Sequence, residues 1–292
     1  MNIAEQNCYR TEEPERGVAV KPVDLRGPLD AIKQLLIGID MVISALILIQ
    51  YAPEINLITA SKEADAGRYV PSFFGPCCPP RGVMYIRDKK EDMLDHIKRL
   101  YAPYTVIDVG WWYQLSVVSL PSGKIRANDL ISTTQIISDG RAPWALTDDR
   151  DIGGYAARII ADPRTLNKSV LAYGEVWCQN DVFDAIERIA GEPVPREHVS
   201  AEDLQRDIDE AQATFAGGQV VLLESVEGKP AMLKYGMAQY KHTQGIRGDN
   251  TPEHAKYLGY LDVKELYPDV KVTTLESCIR DMTEGKVKVP WE

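Results

Sequence analysis

The chain has 292 residues, 45% of them hydrophobic, enough to bury a core in one large domain or two. Its net charge of −10 argues against a nucleic-acid surface and for a soluble cytoplasmic protein. Five cysteines (Cys8, Cys77, Cys78, Cys178, Cys278) show no metal-ligand spacing, so reduced thiols are expected, and no metal. Residues 1–17 lack the apolar stretch of a signal peptide, and the most apolar run, 37–49, is broken by Asp40 and too short to span a bilayer.

In chain order, residues 17–24 (GVAVKPVD) read as a strand ending at Asp24 and Leu25. Pro28 opens a helix with Ile32, Leu35 and Leu36 on one face, closed by Gly38. Residues 39–45 (IDMVISA) are a continuous apolar run, as in parallel strands covered on both faces. Ser44, Ala45 and Leu46 stand at its carboxyl end, where open α/β sheets bind ligands. A helix over 52–66 stops at Gly67, and a β-type run begins at Arg68. After a loop rich in Pro, Gly and Cys come a helix over about 82–101 and a β-type run over 104–109. The pattern predicts an α/β, Rossmann-like, doubly wound parallel sheet.

The helix over 82–101 carries an anomaly. Val83, Ile86, Met93, Leu94, Ile97 and Tyr101 fall within about 40° of Lys90, which sits at the middle of the apolar stripe. Lysine is normally excluded there. Either the side chain snorkels to water, or the ammonium is partly desolvated and faces a cleft as proton donor or carbonyl polariser. Periodicity alone leaves both open.

The second half is read as a smaller, α-rich lobe covering the cleft. It has strands over 133–137 and 169–173, and helices over 149–161, 180–191, 203–216 and from Thr273 to Gly285. Residues 219–225 fit helix or strand. The expected division is 1–16 outside the fold, 17–115 nucleotide-binding and 116–292 substrate-binding. The four histidines show no pairing with a nucleophile, and His96 lies about 120° off the lysine stripe, as a surface histidine does.

Several segments together resemble a known group. PSFFG (71–75), Lys90 fourteen positions before Tyr104-Thr105, VIDVGWW (106–112), DIGGYAARIIADPRTLNK (151–168) and YGEVWCQND (173–181) are similar to the NmrA-like and isoflavone-reductase-like family of atypical short-chain dehydrogenases. The double Trp looks most like fungal oxidoreductases of secondary metabolism. The resemblance implies NADP(H) as cofactor and a small aromatic or polyketide-type metabolite as substrate. It puts the catalytic acid/base on Lys90. It implies cofactor contacts at Asp24, Leu25, Ser44, Ala45, Leu46, Ser72, Phe74, Lys90, Gly110, Trp111 and Trp112, and a substrate wall including Trp112 and Tyr113. The two Trp residues also fit simple hinge packing. Phe73 replaces the family's usual acidic residue, so that carboxylate's hydrogen bond is lost.

The chain departs from the family at its front. Residues 1–16 contain no glycine, and no GxxGxxG turn precedes the segment at 17–24, which matches the family's third strand. The turn cradles a pyrophosphate through charge-assisted hydrogen bonds of roughly 1.5–3 kcal/mol each, so weak NADPH binding is expected. An upstream coding segment missing from the sequence, a paralogue that no longer binds dinucleotide, and a rearranged sheet are the three explanations. The third and fourth family strands would face a gap or pair directly, and an exposed apolar edge would invite a second chain, leaving a homo-oligomer open. A regulator that senses NADP(H) without turnover is the alternative function.

Overall fold

In the computed structural model, which describes residues 19–46, 51–128, 131, 133–216 and 228–287, the alternation predicted for the N-terminal half is present. Helix α1 (Leu29–Leu36) leads to β1 (Met41–Ile43), α2 (Tyr51–Glu63) to β2 (Arg68–Val70), and α3 (Tyr85–Arg99) to β3 (Thr105–Asp108). Strands β1 and β2 pair in parallel, with Val42 opposite Tyr69, and Tyr69 bridges onward to Tyr104 beside β3. Two strands from much later in the chain extend the sheet. β3 pairs in parallel with β7 (Lys168–Leu171), and β7 with β10 (Leu261–Asp262). The sheet therefore draws on both sides of the boundary expected near residue 115.

Successive residues of β3 explain why both sheet faces are covered. Val106 packs with Phe73 and with Leu94 of α3. Its neighbour Ile107 points the other way, into a cluster with Tyr155 and Ile159 of α5 (Ile152–Ala161). Asp148 accepts the N–H of Arg150 ahead of α5, as expected of a cap.

Three expectations are corrected. The described part of the strand predicted over 17–24 carries no regular structure. Instead, Gly27 N–H donates to the Asp24 carbonyl and Arg26 N–H to Asp24 Oδ1, each at 2.9 Å. Pro22 and the Asp24 carboxylate favour this turn over a ladder. Of the two alternatives for that segment, a gap or direct pairing with the next strand, its described part shows no pairing. Among the described residues β1 pairs with β2 alone, and Ile37, Ile39 and Ile43 around it are exposed. Third, Tyr101 does not belong to the lysine stripe: it lies past the end of α3 in a left-handed conformation, 88% exposed.

The second lobe holds more strand than expected. β6 (Pro143–Thr147) pairs in parallel with β4 (Trp111–Trp112) and antiparallel with β8 (Glu175–Cys178), while β5 (Gln135–Ile137) pairs with β9 (Glu197–Val199). Helices α6 (Gln179–Ala190) and α11 (Leu275–Thr283) pack with this sheet around Phe183, Ile186 and Ile279. α7 (Ala201–Ala216) and α8 (Gly228–His242) cover β5 and β9. Residues 219–225 and 1–16 lie outside the described residues. Gly110 makes the turn from β3 to β4 at φ +70, where a Cβ would sit 2.3 Å from the Ala145 carbonyl oxygen. Only glycine satisfies both demands.

Candidate functional site

The carboxyl ends of β1, β2 and β3 gather most of the residues singled out in the sequence. Ser44, 2% exposed, donates its N–H to the Val70 carbonyl at 2.8 Å, extending the β1–β2 ladder by one bond. Ser72 Oγ donates to the Leu46 carbonyl at 2.7 Å, so the turns after β1 and β2 are tied together. Glu54 on α2 accepts from Ser72 N–H at 3.0 Å and from the Tyr69 hydroxyl at 3.3 Å. Burial raises the Glu54 pKa, and the Ser72 N–H, the Ser44 hydroxyl and the charge of Lys90 partly offset this.

Lys90 enters this group from α3. Its ammonium donates to the carbonyl of Phe73 and stands 5.6 Å from the Phe73 ring centroid. A Cβ on Gly75 would lie 3.7 Å from Nζ, so the loop passes close against the amine. Burial lowers the Lys90 pKa to about 8; Asp108 and Glu54 pull it up and Arg87 pushes it down. Of the two readings left open by periodicity, the partial desolvation of the second is seen: the partly buried ammonium is turned onto a backbone carbonyl, and burial brings its pKa toward neutrality. Phe73, where the resemblance implied an acidic residue, supplies a backbone acceptor and an aromatic face.

Sequence reasoning missed the group behind the lysine. Arg87, one turn earlier on α3 and 3% exposed, donates through Nη1 to Asp108 Oδ2 at 2.7 Å and through Nε to Glu91 Oε1 at 2.8 Å. Its Nη2 donates to the Tyr260 hydroxyl, which in turn donates to Asp108 Oδ2 at 2.7 Å. Burial alone would lower the Arg87 pKa, but Asp108, Tyr260 and Glu91 hold it well above the usual value. One signal was available: Asp108 interrupts an apolar strand, and a carboxylate in a buried strand requires partners.

The remaining expected residues lie at differing removes. Phe74, at φ +25, donates its N–H to the Ile107 carbonyl at 2.9 Å and accepts from Trp112 Nε1 at 3.3 Å. Ala45 is exposed. Asp24 is occupied by its own turn, while the Leu25 carbonyl accepts from Asn56 of α2 at 2.9 Å. Gly110 is packed against β6, and Trp111 is buried against Tyr240, ring centroids 5.1 Å apart. Tyr113, expected on a substrate wall, is fully buried in the second lobe and donates to Glu175 Oε2 at 3.0 Å. Its one-residue offset from Trp112 turns it into the core. His96, expected at the surface, is partly buried, its Nε2 2.9 Å from Thr59 Oγ1.

The site has no activated thiol. Burial raises Cys77 well above the usual range and Cys78 to about 12. Among the described residues no group of His, Cys, Asp and Glu is placed to hold a metal ion, and no helix is long and apolar enough to cross a membrane. Of the residues expected at a cofactor, Ser44, Leu46, Ser72, Phe74, Lys90 and Trp112 are brought together at this edge and could hold one, with Gly75 passing close to the amine.

The chain as a whole is similar to known proteins. The family model "NmrA-like family" matches residues 10–276. The chain belongs to the NmrA-like family. Among relatives of this NmrA-like chain, the asnovolin J 5',6'-dehydrogenase of Aspergillus novofumigatus is 41% identical over 277 residues, 93% of this chain and 81% of that one. An isoflavone reductase-like protein of Olea europaea is 26% identical, covering 84% of this chain and 74% of its own length. The solved complex of leucoanthocyanidin reductase with NADPH from Vitis vinifera superposes with a TM-score of 0.69 at 21% identity, over 88% of this chain and 80% of that one. The NmrA-like Rossmann fold is thereby shared.

Proposed function

We propose that the protein is a cytoplasmic NADPH-dependent oxidoreductase acting on a small apolar metabolite of secondary metabolism, with Lys90 as the acid/base. The observation that carries this reading is the desolvated Lys90 amine, near pKa 8 at the carboxyl ends of β1–β3. A dehydrogenase relative at 41% identity supports the reaction class, and the NADPH complex of a structurally similar reductase supports the cofactor. When bound, the nicotinamide supplies or accepts hydride. Lys90 holds the proton that balances it at a substrate oxygen, Phe73 O fixes the amine's direction, and Trp112 shields the group from water.

The experiment is NADPH consumption against a panel of apolar carbonyl and enone metabolites. Lys90→Ala is expected to lower kcat by about 10²-fold or more. Undiminished turnover removes Lys90 from the mechanism. The alternative reading is an NADP(H)-sensing regulator without turnover. Saturable quenching of Trp fluorescence by NADPH, with no turnover of any panel member, supports it.

A further inference from the structure

A cavity lies in the other lobe, between β4, β6, α6 and the end of α8. It has a volume of about 40 Å³, and its walls include Trp111, Trp144, Phe183 and Tyr240 together with aliphatic side chains; Lys90 does not line it. Most polar groups at its surface are already spoken for. Ser116 Oγ donates to the Trp112 carbonyl at 3.0 Å, and Thr133 Oγ1 accepts from Gln135 N–H at 3.1 Å. The Gln179 amide bonds the backbone of Ile137 and Gln135, and Lys241 Nζ donates to Gln135 Oε1 at 2.6 Å.

Two donors are different. Trp144 Nε1 and Gln244 Nε2 are buried and have no hydrogen-bond partner. Their residues are 8% and 3% exposed, and both line this cavity. An unpaired buried donor costs about 1–3 kcal/mol, so two in one small space call for an acceptor there. Gln244 is delivered by a π-helical turn, Thr243–Arg247, a rare geometry that recurs at functional sites. Gly245 lets that turn press onto β5, since a Cβ there would lie 2.5 Å from Ile137 Cβ.

We propose that this cavity binds a small apolar molecule through a neutral carbonyl oxygen, which accepts from Trp144 Nε1 and Gln244 Nε2 together. A carbonyl oxygen has two lone pairs for two donors, and the aromatic walls take the carbon skeleton. A carboxylate fits less well: the nearby ammonium of Lys241 already has Gln135 and stands in the field of Asp207 and Glu197. With room for roughly three waters, the cavity takes a ligand of few carbons, or the tip of a larger one. Tyr240 lines the cavity, and burial with the charges of Cys78 and Asp108 holds its phenol raised.

The test uses the ¹⁵N-labelled full chain, with the Trp144 indole resonance assigned by Trp144→Phe. Cyclopentanone should move that N–H downfield saturably, and cyclopentane should not. Gln244→Leu should weaken the ketone about tenfold while the other indole resonances stay in place. The proposal is overturned if the indole N–H does not respond, if ketone and hydrocarbon act alike, if Gln244→Leu binds undiminished, or if cyclopentanecarboxylate binds more tightly than the ketone. No nicotinamide is present, so failure here leaves the reductase reading standing. A protein that binds ketone but never consumes NADPH sinks only the reductase.

Discussion

Arg87 and Lys90 stand one turn apart on α3, yet Arg87 alone is neutralised: its guanidinium meets Asp108 at 2.7 Å, while the Lys90 ammonium finds only a backbone carbonyl. The arginine thereby occupies the carboxylate that would otherwise stabilise the lysine's charge. Replacing Arg87 with Met should therefore raise the Lys90 pKa above about 8. It should also cost about 3–5 kcal/mol of stability, because Asp108 is left buried without its cation. Chemical denaturation reads the second effect, and the pH dependence of ¹³C-methylated Lys90 reads the first.

Lys90 itself makes stability depend on pH. Its folded pKa, about 8, lies below the ordinary 10.5, so between these values the unfolded chain binds more protons and stability rises with pH. The penalty of burying the charge is full below pH 8 and gone above 10.5. Lys90→Met should accordingly be more stable than the parent at pH 7, and the gain should fade as pH rises through 8 to 10.5. Paired melting curves across that range check it; a constant difference would show that Lys90 reaches bulk water.

Gly110→Ala should destabilise strongly. The left-handed backbone alone costs about 1–3 kcal/mol for a non-glycine residue, and the overlap with the Ala145 carbonyl adds to that. A fall in Tm of several degrees is expected, because the overlap is with backbone that cannot swing aside.

Tyr113→Phe separates structure from substrate binding. The hydroxyl donates to Glu175, whose Oε2 also caps the N–H of Leu275 at 2.7 Å. Its loss should cost about 0.5–1.5 kcal/mol and leave the KM of any substrate unchanged. A large rise in KM would return Tyr113 to the substrate wall.

What the sequence disclosed depended on how local the cause was. Lys90 was visible because three or four turns of one helix define its stripe. Ser44 and Leu46 were visible because strand ends in a parallel sheet share one edge, whereas Ser72 came only from the resemblance of its loop. Arg87 was not: counted as a charge it belongs in solvent, and of its partners Asp108 sits at the end of the following strand while Tyr260 is 173 residues away. Strand β6 escaped because PWALT is buried at four of five positions and so shows no alternation. β4 and β10, two residues each, are too short for any periodicity. Trp144 and Gln244 carry no pattern at all, since only the folded chain reveals a donor without an acceptor.

The way the sheet is completed constrains synthesis as well as shape. Thr105 must wait for Lys168, and Val170 for Leu261, before their ladders can close. A nascent chain leaving the ribosome thus carries unsatisfied strand borders through most of translation, when chaperone capture and slow, non-local closure govern yield. Stop codons placed anywhere before β10 should produce aggregates rather than a smaller working nucleotide-binding unit.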